Sequence, residues 1–373
     1  VKQKVLHTYV ESLLRKRQRM QAKAFDPLAV KSILFVELTR FGDVVNILPA
    51  VQSFRDACPH ARISVAVLTR FAELFPALPF VDETIPFDEN GLLPGFAPAA
   101  GNAKERTFDL VCSMSPAARN GLIALKTTAN AYAGYFDVHG GVTPFLERSS
   151  IRSAGVQLVR EEVFARENIS VRALKLCSAL GVTKRGNVTW KLPEEWHRRR
   201  DEQLSSLGVD PLRPYIVIHP FAGWTYREWH HASALAAGIM RESPAVIVGT
   251  REEHGRLSLD GNGGFAETPF FEITGEGALA SLLKSASLVI GADSGPLHLA
   301  ASLGTKTLGL YGPASPALTA PQSKSHRSLY HNLECSPCDQ LACIHPERSC
   351  MEYLTVEAVL AAALEQLRVP VTA

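Results

Sequence analysis

Short apolar runs alternate with amphipathic stretches along most of the chain. The run Ile33 to Val36 turns through the Gly42-Asp43 pair into a stretch with helical spacing, and "ARISVAVLT" then reads as a second strand. That is a β-α-β unit. The segments "FVDETIPF", "FDLVCSM" and "ANAYAGY" follow, each short and separated by polar or helical stretches, which predicts a parallel sheet with crossover helices. "GFAPAAGNAKERT" reads as a loop. Around "VTKRGNVTWKLPEEWHRRRDEQLSSLGVDPLRP" the pattern turns polar and Pro-punctuated, and from "YIVIHP" the strand-helix alternation resumes up to "TKTLGLYG". The expectation is an α/β chain of two Rossmann-like, doubly wound domains, residues 31–192 and 193–373. Their strand ends would face a central cleft. Before them, Val5, Leu6, Tyr9, Val10, Leu13 and Leu14 form a helical stripe followed by "RKRQR". Residues 1–30 are therefore expected as an amphipathic helical arm, docked on the domain or drawn peripherally to an acidic membrane face.

The length of 373 residues suits two such cores, and 46% apolar with 20% charged residues places the chain among soluble globular proteins. A formal charge of +2 makes nucleic acid a poor partner while leaving room for a local anion site. No apolar run approaches the roughly 18 to 20 residues of a membrane-spanning helix, and no signal-type segment leads the chain, so a cytoplasmic location is expected. Of seven cysteines, Cys335, Cys338, Cys343 and Cys350 crowd into sixteen residues. An odd count in such a chain argues against a disulfide framework and leaves metal binding or packing.

Chemistry concentrates where strands end. "SLVIGAD" closes a buried strand, and "PLHLAASLG" opens a helix with Pro296 in its first turn and Gly304 as its stop. Asp293 or Ser294 would serve as N-cap there. Beyond capping, Gly295 permits close backbone approach, and a helix start suits an anion such as a diphosphate. A carboxylate beside phosphate needs another task, and Asp293 would accept hydrogen bonds from sugar hydroxyls. His298, one turn on, could donate to a phosphate oxygen. In the first half "TRFGDVVNILPA" forms a similar junction, with Asp43 placed as a cap or a base. It lacks a G-x-G-x-x-G fingerprint, and Arg40 with Phe41 would crowd a dinucleotide, so an acceptor site and base are expected there. Two further junctions, "HPFAGWTYREW" and "VGTREEHGRL", offer Arg227 for phosphate oxygens and Glu253 for ribose hydroxyls.

With these four junctions the sequence resembles glycosyltransferase family 9, the heptosyltransferases that build the inner core of bacterial lipopolysaccharide. The resemblance runs from about Ile33 to the end and is most specific in "ADSGPLHLAASLGTKTLGLYGP". It implies a GT-B fold and inverting, metal-independent transfer from a nucleotide sugar held by the C-terminal domain. It implies Asp43 as general base, and Gly223, Arg227, Glu253, Asp293, Ser294, Gly295 and His298 as donor-binding residues. The implied donor is ADP-heptose, and the implied acceptor a lipid-linked glycan, Kdo-lipid A or its heptosylated form. The N-terminal arm departs from the family's minimal chain, and Arg227 stands where lysine is also common. Transfer to another surface glycan or a protein would keep the same chemistry, and a non-catalytic sugar-nucleotide-binding protein is the alternative of another class. The spacing C-x2-C-x4-C-x6-C would let Cys335, Cys338, Cys343 and Cys350 reach one tetrahedral ion. The resemblance suggests structural zinc or iron there, or thiols that stay reduced and pack.

Overall fold

The computed structural model describes residue 12 and residues 29–88, 106–115, 117–136, 150–153, 156–160, 167–259, 268–338, 343–345 and 348–369. Most of the expected arm over residues 1–30 and most of the expected loop over 95–107 lie outside them. The chain divides into two compact units, Val1–Lys191 and Leu192–Ala373.

In the first unit β1 (Ser32–Val36) leads into α1 (Phe41–Ala57), then β2 (Arg62–Leu68), a 3-10 stretch Thr69–Ala77 and β3 (Glu83–Phe87). There follow β4 (Thr107–Ser113), α2 (Ala118–Lys126), β5 (Thr128–Phe136), β6 (Ser150–Ser153), β7 (Val156–Arg160) and α3 (Ile169–Ala179). The strands form one sheet in the order β3-β2-β1-β4-β5-β6-β7. The first five run parallel, and Ile33 to Val36 are fully buried at the sheet's centre. A strand covered on both faces reads as an unbroken apolar run, which is why β1 is so visible in the sequence. The antiparallel ribbon β6-β7 extends the edge and was not among the expected elements.

The second unit opens on α4 (Glu194–Ser206) and β8 (Ile216–His219), followed by a 3-10 turn Thr225–Arg227, α5 (Ala232–Ile239), β9 (Ala245–Gly249) and α6 (Arg251–Leu259). It continues through β10 (Phe270–Glu272), α7 (Glu276–Ser285), β11 (Leu288–Ala292), α8 (Gly295–Ser302) and β12 (Thr307–Tyr311). It closes with α9 (Pro316–Thr319), β13 (His326–Tyr330), a 3-10 turn Cys350–Tyr353 and α10 (Val356–Arg368). Its sheet is all parallel, in the order β10-β9-β8-β11-β12-β13. Edge strand β13 is only partly buried along its length, so its sequence "HRSLY" lacks the apolar run that marks the inner strands. The core joins Ile216, Ile218, Ile247, Leu288 and Ile290 to α5 and α10, with Trp229 donating its indole N–H to Leu354 at 2.8 Å.

Each unit reverses its winding beside its first strand, between β1 and β4 and between β8 and β11. In open α/β sheets ligands collect at the carboxyl ends of such strand pairs. Among the described residues no helix is long and apolar enough to cross a membrane.

Candidate active site

At the first unit's reversal, β1 ends and Glu37, Leu38, Thr39 and Arg40 carry the chain into α1. Asn120 of α2 stitches this junction: its amide oxygen accepts from Leu38 N at 2.9 Å, and its nitrogen donates to Val36 O and Glu37 Oε1, both at 3.2 Å. Asp43 does not stand at the N-cap. That position is Arg40, and Asp43 sits at the third helical residue, where its Oδ2 accepts from Arg40 N at 3.3 Å and from Thr39 Oγ1 at 2.8 Å. Helix entry therefore uses half of a capping box, with the carboxylate reaching back to the cap. Phe41 stacks on Phe71 at 5.3 Å, and the guanidinium of Arg70 lies 4.7 Å from the Phe71 ring, an aromatic surface in place of a glycine turn.

Glu37 was not a candidate from sequence, yet it is the most perturbed carboxyl of this junction. It is wholly buried, and its Oε1 accepts from Thr39 N at 3.2 Å, from Asn120 and from Ser115 Oγ at 3.4 Å, and is in hydrogen-bond contact with Thr39 Oγ1. Burial and then the charge of Asp43 raise its pKa to about 7, against the opposing pull of the bonds from Thr39 and Asn120. Its only sequence signal is a carboxylate directly after a buried strand.

At the second unit's reversal Gly291 lets β11 run close to β8: a Cβ there would lie 2.8 Å from His219 O. His219 ends β8, fully enclosed, and burial lowers its pKa to about 4, with the charge of Glu253 opposing. The imidazole is thus neutral, and its Nδ1 lies 3.0 Å from Ser294 Oγ. Ser294 holds the N-cap position of α8 but makes no capping bond with its side chain. Pro296 falls in the first turn and Gly304 takes a φ of 83° past the helix end, as expected for start and stop.

Asp293 and His298 face each other, with Nε2 3.4 Å from Oδ1. Burial works to raise the Asp293 pKa, but the bond and charge of His298, a bond from Thr319 and the charge of Arg227 outweigh it and hold the carboxyl below its ordinary value. Arg227 lies 4.6 Å from the Trp224 ring and 5.7 Å from that of Tyr226. Among the described residues, Arg227 Nε and His298 Nδ1 are buried without a hydrogen-bond partner. Such atoms are costly unless something binds them.

Glu253 caps α6: its Oε2 accepts from Thr250 N at 2.7 Å, while its own N–H donates to Thr250 Oγ1 at 3.2 Å. Gly249 is obligatory, since a Cβ would meet the Phe221 ring at 2.6 Å, whereas Gly223 stands exposed with open space around it. The second unit thus gathers Arg227, Asp293 and His298 into one electrostatic group, ties Ser294 to His219, and sets Glu253 at a helix start. Asp43 belongs to the first unit. His219, like Glu37, was missed in the sequence, where "YIVIHP" shows a strand and not the partner of its last residue.

Among the described residues, no group of three or more His, Cys, Asp or Glu side chains is arranged to hold a metal ion. The four-thiolate site suggested by the cysteine spacing therefore has no support here. Cys350 packs in the 3-10 turn, where burial and then Cys338, Cys343 and Cys335 raise its thiol to about 11. Its Sγ lies 2.7 Å from where Gly312 would carry a Cβ, so glycine is needed for the segment to dock.

A family description, glycosyltransferase family 9 (heptosyltransferase), matches residues 103–347. Lipopolysaccharide heptosyltransferase 1 of Pseudomonas aeruginosa is 24% identical over 329 residues, covering 84% of this chain and 87% of that protein. A glycosyltransferase family 9 crystal structure from Veillonella parvula superposes with a TM-score of 0.71 at 20% identity, covering 92% of this chain and 99% of the other. The Escherichia coli heptosyltransferase WaaC, solved with ADP, gives a TM-score of 0.64 at 16% identity, covering 90% and 99%.

Proposed function

The chain belongs to glycosyltransferase family 9, the heptosyltransferases, and from that membership we propose that it moves a heptose from ADP-heptose to the inner core of lipopolysaccharide. The acceptor would be Kdo-lipid A or its heptosylated form, reached at the cytoplasmic face of the membrane. The kinship with lipopolysaccharide heptosyltransferase 1 supports the sugar and the acceptor class. The observation that carries the donor site is the pair of buried, unpartnered atoms, Arg227 Nε and His298 Nδ1, beside an anionic Asp293. A diphosphate sugar satisfies all three: its phosphate oxygens accept from Arg227 and from His298, and its sugar hydroxyls donate to Asp293.

The division of labour follows from charge. The acceptor hydroxyl titrates far above neutrality, so Asp43 takes its proton as the oxygen attacks the anomeric carbon. The bond from that carbon to the diphosphate breaks with its electron pair leaving on ADP, and attack from the opposite face inverts the centre. Arg227 and the first-turn amides of α8 neutralise the charge that develops, in the manner of an oxyanion site, so that no catalytic metal is called for. Gly223 and Gly295 let backbone approach the donor, Ser294 sets the first turn of α8, and Glu253 offers its second oxygen to the ribose.

The test pairs binding with turnover. ADP or ADP-heptose at roughly a hundred times its dissociation constant should add about 2.7 kcal/mol of stability, while uridine nucleotides should add little. Asp43→Ala should retain that thermal shift and lose heptosyl transfer, and transfer should survive chelation. A shift with uridine nucleotides alone would sink the donor assignment, and turnover by Asp43→Ala would sink the base.

A further inference from the structure

Three oxygens meet at the head of α1, with Thr39 Oγ1 in contact with both Glu37 Oε1 and Asp43 Oδ2. Thr39 Oγ1 lies 2.8 Å from Asp43 and is in hydrogen-bond contact with Glu37. Two such bonds need two hydrogens, and a hydroxyl carries one. The second must be a carboxyl proton, because two carboxylates facing one hydroxyl leave one contact as bare oxygen against oxygen. From this count we propose that Glu37 and Asp43 share a single proton through Thr39, and that Glu37 is a positioning residue that holds Asp43 in its anionic, proton-accepting form. The inference rests on the assignment of Asp43 as the base.

Burial decides where the proton resides. Glu37 is wholly enclosed while Asp43 is partly exposed, so charge is cheaper on Asp43. Glu37 Oε2 is buried with no partner among the described residues, a place that suits the carbonyl of a neutral acid better than half of a carboxylate. In this state Glu37 donates to Thr39, Thr39 donates to Asp43 Oδ2, and the other Asp43 oxygen takes the acceptor's proton. After transfer both carboxyls are neutral, and the surplus proton leaves from Asp43, the member of the pair nearer water. Among the described residues, Arg172 of α3 is in electrostatic reach of both carboxyls, Glu167 acts on Arg172 in turn, and Arg40 adjoins Asp43 through its backbone N–H. Asn120 and Ser115 are neutral partners of Glu37, while the Tyr135 hydroxyl donates to Arg172 O. The positive charge of Arg172 favours one anion in the pair.

Above neutrality Glu37 loses its proton, since its pKa lies at about 7. Thr39 can then satisfy only one of two mutually repelling carboxylates, and Asp43 loses its fixed position. The kcat of the parent should therefore fall on the alkaline side with a midpoint near 7. Glu37→Gln cannot ionise, and its amide still donates to Thr39, so that limb should disappear. Thr39→Val removes the shared hydroxyl and should lower kcat about ten-fold, the worth of one hydrogen bond to a charged group, with KM for ADP-heptose unmoved. Infrared spectroscopy of the folded protein, without substrate, should show one carboxylic acid band below neutrality that vanishes on alkalinisation and is absent from Glu37→Gln. An alkaline limb retained in Glu37→Gln, or an acid band unchanged by that substitution, overturns the shared proton. These outcomes separate from the base assignment itself: turnover in Asp43→Ala overturns the base, while the infrared band still decides whether Glu37 holds the proton.

Discussion

Arg227 stacks its guanidinium over Trp224, with its Nε buried and, among the described residues, without a hydrogen-bond partner. A planar fork can lie flat on an aromatic ring and still present N–H groups to two phosphate oxygens, which an ammonium cannot do. Arg227→Lys should therefore raise KM for the nucleotide sugar about ten-fold while leaving unfolding free energy within roughly 1 kcal/mol, checked by steady-state kinetics beside denaturant melts. Residues of this kind were legible in the sequence because their neighbours name them: Asp293 and His298 come with Ser294 and Gly295, and Arg227 with its aromatics. Glu37 was not legible. Its burial depends on Asn120, which arrives from α2, and on Thr39 folding back, and neither is visible in a stretch that reads "FVELTRFGD".

At the scale of elements, the close passage of β11 against β8 fixes where His219 and the start of α8 stand. Gly291→Ala places a methyl group 2.8 Å from His219 O, a backbone atom that cannot turn aside. The expected cost is about 1–3 kcal/mol, read as a lowered melting point of the second unit. Gly223→Ala is the control, since open space surrounds that position. It should stay within about 0.5 kcal/mol of the parent in stability, while a weakened ADP shift would mark its place against the donor. Inner strands and their helices were readable from apolar runs because both faces are covered. The edges were not: β13 carries a polar strand that only pairing with β12 defines, and β6-β7 adds an antiparallel ribbon to a chain whose pattern speaks for parallel crossovers.

For the whole molecule, Glu37 of the first unit and two buried histidines of the second answer pH in opposite senses between about 4.5 and 7. Glu37 in the first unit has a folded pKa of about 7, above its ordinary 4.5. The native state therefore binds the extra proton, and its contribution is full below 4.5 and lost as pH rises through 7. The amount is on the order of 3 kcal/mol. In the second unit His219 and His326 are lowered to about 4 from 6.5, chiefly by burial. Their neutral forms are native, so stability is gained as pH rises from 4 towards 6.5 and lost on acidification. Asp293, held below its ordinary value, acts in the same direction at the acid end. Calorimetry of the full chain from pH 4.5 to 7 should show one transition falling and the other rising, with Glu37→Gln flattening the first alone. A two-unit chain was legible from its repeated alternation, but this divergence depends on groups whose partners meet only on folding.

Ser294 Oγ stands 3.0 Å from His219 Nδ1 and makes no capping bond to its own helix's amides. A serine at a helix start ordinarily turns inward and bonds its own helix's amides. Here a histidine on a neighbouring strand engages the hydroxyl, which in the proposed donor site would keep it from competing with an incoming diphosphate for those amides. His219→Ala should let the hydroxyl swing back and weaken ADP binding, whereas adding Ser294→Ala should restore part of the loss, measured by titration calorimetry. Persistent weakness in the double variant would mean that His219 serves the nucleotide directly. Otherwise, the histidine's service is restraint: it keeps α8 from sealing its own entrance.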